Sequence, residues 1–166
     1  MDVANVMGSR PDGWWRDRAG AAVRLHAQIA ALAASGRPVL PDETDPARFV
    51  LVLEGAARVA AARIGTDPAA DGRVRVVAAD GSGDDAIVAL VRELSGRRFV
   101  VTADRELRNR CVAAGAEVLS PGWLLGLLRE PRRGPLIGPS GPFNRTAHSP
   151  SRPRRTQRRS EHRSRQ

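Results

Sequence analysis

The chain has 166 residues, of which 42% are hydrophobic, and a formal net charge of +9. This is enough apolar sequence for one domain with a sizeable core, but not for two. No run approaches the roughly 18 apolar residues of a membrane span, and the first residues lack the basic and apolar regions of a signal peptide, so we expect a cytoplasmic protein and no membrane partner. The single cysteine, Cys111, excludes an internal disulfide and is predicted to be a buried thiol.

The positive charge is concentrated at the end of the chain. Residues 131–166 contain ten arginines and one acidic residue, whereas residues 1–130 contain equal numbers of basic and acidic side chains. The end segment is rich in Pro, Gly, Ser, Thr and Arg, so it has too little apolar surface to offset its ordering entropy. We predict one domain over residues 1–130 and a disordered basic tail over residues 131–166. The tail either adds electrostatic affinity for nucleic acid or only solubilises the chain.

Within the domain, short apolar runs alternate with amphipathic stretches of helical period, which is the pattern of β-α-β units. The predicted strands are, in chain order, a stub at Asp2–Ala4, then Phe49–Leu53, Arg73–Ala79, Phe99–Thr102 and Glu117–Leu119. The predicted helices are one with an apolar stripe from Ala22 to Leu32 that ends at Gly36, then Asp84–Leu94, Asp104–Ala114 and Trp123–Leu128. The predicted fold is an α/β three-layer sandwich with a central, mainly parallel sheet of four or five strands.

Acidic residues follow almost every predicted strand. Asp2 lies on the first, Glu54 ends the second, Asp84 and Asp85 open the helix after the third, and Asp104 follows the fourth. Each aspartate alone is explained as a helix cap or a first-turn residue. Together, however, carboxylates at one sheet edge repel each other, by about 4 kcal/mol for a pair ~4 Å apart at an effective dielectric constant of ~20. A divalent cation removes that cost, and oxygen ligands favour Mg²⁺ or Mn²⁺; no His/Cys spacing indicates zinc.

Three motifs at these positions resemble YacP-type NYN domains, which are relatives of the PIN nucleases. They are Asp2-Val-Ala-Asn5, Gly83-Asp84-Asp85-Ala-Ile87 and Val101-Thr-Ala-Asp104-Arg105, and the likeness spans about residues 1–130.

The resemblance implies a PIN-like fold and a metal-dependent ribonuclease that cleaves phosphodiester bonds, with single-stranded RNA as the preferred substrate. It implies catalytic metal ligands at Asp2, Asp84 and Asp104, a supporting or alternative ligand at Asp85, and an Asn5 that orients or contacts the substrate. The role of Glu54 stays open.

The chain departs from the family pattern at two places. Almost no apolar residues precede Asp2, where a first strand is expected, which would be explained by a start upstream of Met1. The segment Gly81-Ser82-Gly83 supplies no carboxylate where relatives often have one, so a weaker acidic cluster is expected.

Aromatic and basic side chains near the predicted site are candidates for substrate binding. Trp14 and Trp15 are adjacent, so we expect one to cover the start of the first long helix and the other to be available for base stacking. Arg105 and Arg108 follow Asp104 and are candidates for phosphate contact; solvated helix arginines are the alternative.

Two other functions use similar residues. A nucleotide pyrophosphohydrolase would need the same metal chemistry, but neither a Nudix helix nor a Glu-Glu-x-x-Glu metal helix is present. A non-catalytic RNA-binding module would keep the fold without cleavage. The sequence contains no P-loop and no complete dinucleotide-binding fingerprint. It does not distinguish RNA from DNA and does not indicate an oligomeric state.

Overall fold

A computed structural model describes residues 1–40, 43, 45–65 and 72–129. The predicted tail, residues 131–166, lies outside these described residues. The described elements are, in chain order, α1 (Val3–Gly8), a 3₁₀ turn (Trp14–Arg16), α2 (Arg18–Ala34), β1 (Phe49–Leu53), a 3₁₀ turn (Gly55–Val59), α3 (Ala60–Ile64), β2 (Val74–Ala78), α4 (Gly83–Glu93), β3 (Phe99–Val101), α5 (Arg105–Ala113), β4 (Glu117–Leu119) and α6 (Pro121–Arg129).

The strands form two parallel ladders. β1 pairs with β2, with Phe49 opposite Val74 and Leu53 opposite Ala78. β3 pairs with β4, with Phe99 opposite Glu117. Parallel pairing requires a crossover between partners, and α3 lies between β1 and β2 in the chain, whereas α5 lies between β3 and β4.

Residues Met1 and Asp2 connect the two ladders. The Met1 amine donates to the Val50 carbonyl at 2.5 Å, and the Val52 amide donates to the Met1 carbonyl at 3.0 Å. On the other side, the Asp2 amide donates to the Val101 carbonyl at 3.3 Å. Two residues therefore occupy the central position of the sheet, between β1 and β3.

Helices cover both faces of this sheet. Leu51, Leu53 and Val101 point into one core, where α1, α2, α3 and α6 contribute apolar side chains. Val52 and Val100, one residue out of phase, point into a second core with α4 and α5. This alternation is the period-two pattern of a strand buried on both faces. The predicted three-layer α/β architecture is confirmed.

The long helix α2 shows how the pattern of apolar residues determines burial. Leu25 and Ile29, one turn apart, are 1% and 0% exposed, and full burial of such a side chain contributes roughly 1.5–3 kcal/mol. The Asp17 carboxylate caps the first turn by accepting from the Gly20 amide at 2.8 Å. The helix ends at Ala34, and Gly36 follows with φ of 64°, a conformation that favours glycine. The predicted helix end is therefore confirmed.

Several predicted boundaries and one predicted strand are wrong. The stub at Asp2–Ala4 is a single bridge from Asp2 to Val52, and helix α1 begins at Val3 because the Asp2 side chain caps it. Helix α1, the short helix α3 and the two 3₁₀ turns were not predicted. The strands predicted over residues 73–79 and 99–102 are shorter, at Val74–Ala78 and Phe99–Val101, whereas β1 and β4 have their predicted bounds.

The predicted burial of Cys111 is confirmed. Cys111 is fully buried, at 0% exposure, in the core beneath α4 and α5. No helix in the described part of the chain has the length and hydrophobicity needed to cross a membrane.

Candidate active site

An open pocket of about 530 Å³ lies at the edge of the sheet where several strands end. Four carboxylate side chains, Asp2, Glu54, Asp84 and Asp104, line it together with Ala4, Asn5, Gly8, Ser9 and Trp14. Since Glu54 follows β1 and Asp104 follows β3, this is the carboxyl edge of the parallel sheet. The acidic residues predicted as metal ligands therefore line one pocket.

Asp2 is held by hydrogen bonds to both carboxylate oxygens. Its Oδ1 accepts from the Asn5 amide at 2.9 Å, which caps helix α1. Its Oδ2 accepts from the Thr102 hydroxyl at 3.1 Å. Burial raises the pKa of Asp2, and the repulsion from Glu54 adds to this, whereas the hydrogen bonds from Asn5 and Thr102 lower it. The Asp2 carboxylate is therefore fixed in orientation although it is partly removed from water.

Asp104 is the N-cap of helix α5. Its Oδ1 accepts from the Leu107 amide at 2.8 Å, and its own amide donates to the Thr102 hydroxyl at 3.1 Å. The helix-cap interpretation of this residue is thus correct in geometry, and the same residue lines the acidic pocket. Capping uses only the Oδ1 atom. The Oδ2 atom has no hydrogen-bond partner among the described residues.

The Asn5 side chain forms a hydrogen bond with the loop that carries Asp104. Its Oδ1 accepts from the Ala103 amide at 2.9 Å, a contact between helix α1 and the loop after β3. Thr102 is 0% exposed and joins Asp2 to Asp104 through the two hydrogen bonds of its hydroxyl. These two side chains therefore set the relative positions of two pocket carboxylates.

Glu54 and Asp84 occupy the other side of the pocket. The Glu54 Oε2 accepts from the Gly83 amide at 2.9 Å, at the first residue of α4. A Cβ atom on Gly83 would lie 2.5 Å from that oxygen, so a side chain at this position would displace the Glu54 carboxylate. Asp84 follows in the first turn, and the Ser82 side chain caps the helix.

The four carboxylates interact electrostatically. The pKa of Asp84 is raised by burial and then by the negative charges of Asp2, Asp104 and Glu54, and the charge of Arg110 opposes the shift. Asp84 forms no hydrogen bond or salt bridge with another described residue. It is therefore the pocket carboxylate whose charge is least compensated by the protein.

Other predicted site residues lie outside the pocket lining. The Asp85 carboxylate pairs with Arg110 at 2.5 Å and is mostly exposed. Arg105 and Arg108 are exposed on α5 and do not line the pocket.

The two tryptophans differ in environment. Trp14 lines the pocket and packs against the core, and the Arg18 guanidinium lies 5.4 Å from its ring centroid. Trp15 is 56% exposed and meets Trp14 edge to face, with centroids 6.3 Å apart. The expectation that one of the pair packs against the domain and the other stays accessible is met.

The donor chemistry of the pocket fits a hydrated divalent cation. In the described part of the chain, no three His, Cys, Asp or Glu side chains form a ready-made coordination set. Mg²⁺, however, usually keeps several water ligands and is held by only one or two carboxylates. Asp84, the second oxygens of Asp104 and Glu54, and the remaining lone pairs of the Asp2 carboxylate offer that kind of donor.

Sequence reasoning assigned no role to Thr102 and Ser9 and left the role of Glu54 open. Thr102 belongs to the motif Val101-Thr-Ala-Asp104, and a hydroxyl directly after a buried strand was the signal for a second anchor of the site. Ser9 has no such signal, because the helix that brings it to the pocket was not predicted.

Comparison with known proteins agrees with this fold. The family model of the PIN-like domain matches residues 19–121, a span that includes Glu54, Asp84 and Asp104. A crystal structure of a mutant of Rae1 (YacP) from Bacillus subtilis is similar, with a TM-score of 0.56 and 19% sequence identity over 76% of this chain and 71% of that chain. None of the curated proteins is a significant match to the sequence.

Proposed function

Since the chain belongs to the PIN-like domain family, which supports a nuclease-type function in general, we propose that it is a metal-dependent ribonuclease. In this proposal it hydrolyses a phosphodiester bond in the pocket lined by Asp2, Glu54, Asp84 and Asp104. The observation that carries the proposal is the convergence of these four carboxylates in one pocket, where the charges of the other three add to burial in raising the pKa of Asp84. Such uncompensated repulsion is typical of a site that binds a cation.

The residues that would hold Mg²⁺ or Mn²⁺ are Asp2, Asp84 and Asp104, with Glu54 beside them. When bound, such an ion supplies a water of lowered pKa and offsets the charge that develops on the phosphoryl oxygens. The Thr102 hydroxyl and the Asn5 backbone amide keep the Asp2 carboxylate oriented toward the pocket. The Asn5 side chain holds the loop that carries Asp104. We therefore assign Asn5 a positioning role; direct contact with substrate is not needed to explain it.

The substrate side of the pocket includes Trp14. Arg18 covers part of the Trp14 ring, so Trp15, with 56% of its surface exposed, is the better candidate for stacking on a base of single-stranded RNA. Arg105 and Arg108 remain candidates for phosphate contacts farther from the reacting bond.

The test is cleavage of a labelled single-stranded RNA by the full chain in Mg²⁺ or Mn²⁺, beside EDTA and beside nucleoside triphosphates. Asp84→Asn should reduce cleavage by roughly 100-fold or more, because it removes a charge that holds the cation. Asp85→Asn is the matched control, since it makes the same change one residue later but outside the pocket lining, and it should retain most activity.

The outcomes separate the candidate functions. Equal activity of the Asp84→Asn variant and the parent would contradict the proposal. Metal-dependent hydrolysis of nucleoside triphosphates without RNA cleavage would instead indicate a nucleotide hydrolase, and RNA binding without any hydrolysis would indicate a binding module.

A further inference from the structure

Three arginines converge on the helical layer that carries α1, α2 and α6. Arg10 follows α1, and its Nη2 donates to the Gln28 Oε1 on α2 at 2.9 Å. Arg24 lies one turn before Gln28 on the same face of α2. Arg129 is the last residue of α6, a helix that packs against both α1 and α2. We call Arg10, Arg24 and Arg129 the arginine cluster.

The charges of the cluster act on one another. The pKa of Arg10 is lowered by partial burial and by the positive charges of Arg129 and Arg24, and Asp12 opposes the shift. Arg24 and Arg129 are exposed, and neither forms a salt bridge with a described carboxylate. The cluster is therefore a region of positive potential that an anion would stabilise.

The cluster adjoins the acidic pocket through the chain itself. Gly8 and Ser9 line the pocket, and Arg10 is the next residue. The Trp14 ring lies over this turn, since a Cβ atom on Gly8 would be 3.7 Å from its Cζ2 atom. A polyanion with one phosphodiester in the pocket thus meets the backbone of residues 8 and 9 and then the first arginine of the cluster.

We propose that the arginine cluster binds the phosphate backbone of single-stranded RNA on one side of the cleaved bond. This inference rests on the proposed function, because it places the reacting phosphate in the acidic pocket. Guanidinium groups form charge-assisted hydrogen bonds with phosphate, and the accessible Trp15 suits the unpaired bases of a single strand. The four carboxylates repel a polyanion from the pocket in the absence of a cation, so a basic site beside it supplies the affinity.

The experiment measures RNA binding separately from cleavage. The full-length parent and the double variant Arg24→Gln/Arg129→Gln are titrated with a labelled single-stranded RNA in EDTA over a range of salt concentrations. Each phosphate contact contributes about 0.7 to the slope of log K against log salt for single strands. The double variant should therefore lose about 1.4 from the magnitude of the slope and bind roughly tenfold more weakly at low salt.

Arg92→Gln is the matched control. Arg92 is also an exposed arginine in the last turn of a helix, but it lies on α4, which packs in the other core. It should keep the parent slope, and any tail contribution to the slope is the same in all three proteins. Melting temperatures of the variants should agree with the parent, because the replaced side chains form no hydrogen bond or salt bridge with described residues.

The outcomes are decisive for the cluster. The proposal is supported if the double variant has a lower slope than the parent and the Arg92→Gln variant does not. This holds even if the parent does not cleave RNA; in that case the proposed function fails, but the cluster remains an RNA-binding site. A double variant with the parent slope, or a parent that does not bind RNA, overturns the proposal. If the parent cleaves RNA and the double variant keeps the parent slope, the nuclease function stands and only the RNA-binding role of the arginine cluster is refuted.

Discussion

Replacement of Thr102 by valine tests whether the site depends on the geometry of its hydrogen bonds. Valine has the same shape and suits the extended backbone that follows β3, but it lacks the hydroxyl that donates to Asp2 and accepts from the Asp104 amide, each at 3.1 Å. A hydrogen bond to a charged group contributes roughly 1.5–3 kcal/mol and a neutral one about 1 kcal/mol. Because the Asp2 carboxylate faces an open pocket, water replaces part of the lost contact, so we expect a net loss of about 2 kcal/mol.

Thermal denaturation measures the expected loss of stability, and an RNA cleavage assay measures the expected loss of activity. A loss of about 2 kcal/mol lowers the melting temperature by roughly 4–8 °C for a chain of this size. Cleavage should fall about tenfold or more at saturating metal, because the Asp2 carboxylate loses the anchor of its Oδ2 atom. Thr102→Ser keeps the hydroxyl and loses only a methyl group, so it should lose about 1 kcal/mol of stability and retain activity. If the valine variant cleaves RNA as well as the serine variant, the hydroxyl does not position the site.

Two substitutions of Asp104 separate its role as a helix cap from its proposed role as a metal ligand. Asp104→Asn keeps the cap on Leu107 and should leave stability nearly unchanged while abolishing metal-dependent cleavage, whereas Asp104→Ala should also cost about 1 kcal/mol of stability. Denaturant unfolding and cleavage assays check both, and an active Asn variant would show that Asp104 is only a cap. Trp15→Ala should weaken the binding of single-stranded RNA by about 1–3 kcal/mol without lowering the melting temperature; equal affinity in a fluorescence titration would mean that no base stacks there.

The sequence predicted the β-α-β part of the fold better than its beginning. Apolar runs such as Phe49–Leu53, buried between two helical layers, have the short, continuous hydrophobic pattern that is typical of an interior parallel strand. The prediction of the first strand failed because only Met1 and Asp2 occupy the strand position, and the Asp2 side chain caps a helix that begins at the next residue. A two-residue strand carries no periodicity, so its pairing is recognisable only from the backbone hydrogen bonds of its neighbours.

The same limit applies to the site. That carboxylates would meet at the carboxyl edge of the sheet followed from the strand order, since parallel strands all end at one side. Which of two adjacent aspartates would line the pocket followed only from the family resemblance, because Asp84 and Asp85 differ only in their angle around α4, and Asp85 turns toward Arg110. The arginine cluster was not predictable either, since its three residues are far apart in the chain and meet only where α1, α2 and α6 pack together.

The pocket carboxylates differ in how firmly the protein holds them. Asp2 has both oxygens in hydrogen bonds, Asp104 and Glu54 each have one oxygen bonded to a backbone amide, and Asp84 has no hydrogen bond to any described residue. A carboxylate oxygen that accepts one hydrogen bond retains a second lone pair, so the anchored groups can still bind a cation. In the proposed metal site, three carboxylates are thus already oriented by the protein. Asp84, whose pKa is raised by burial and by the other three, is the ligand that would adjust its position. A rigid set with one adjustable ligand suits a metal that must accommodate a substrate phosphate during reaction.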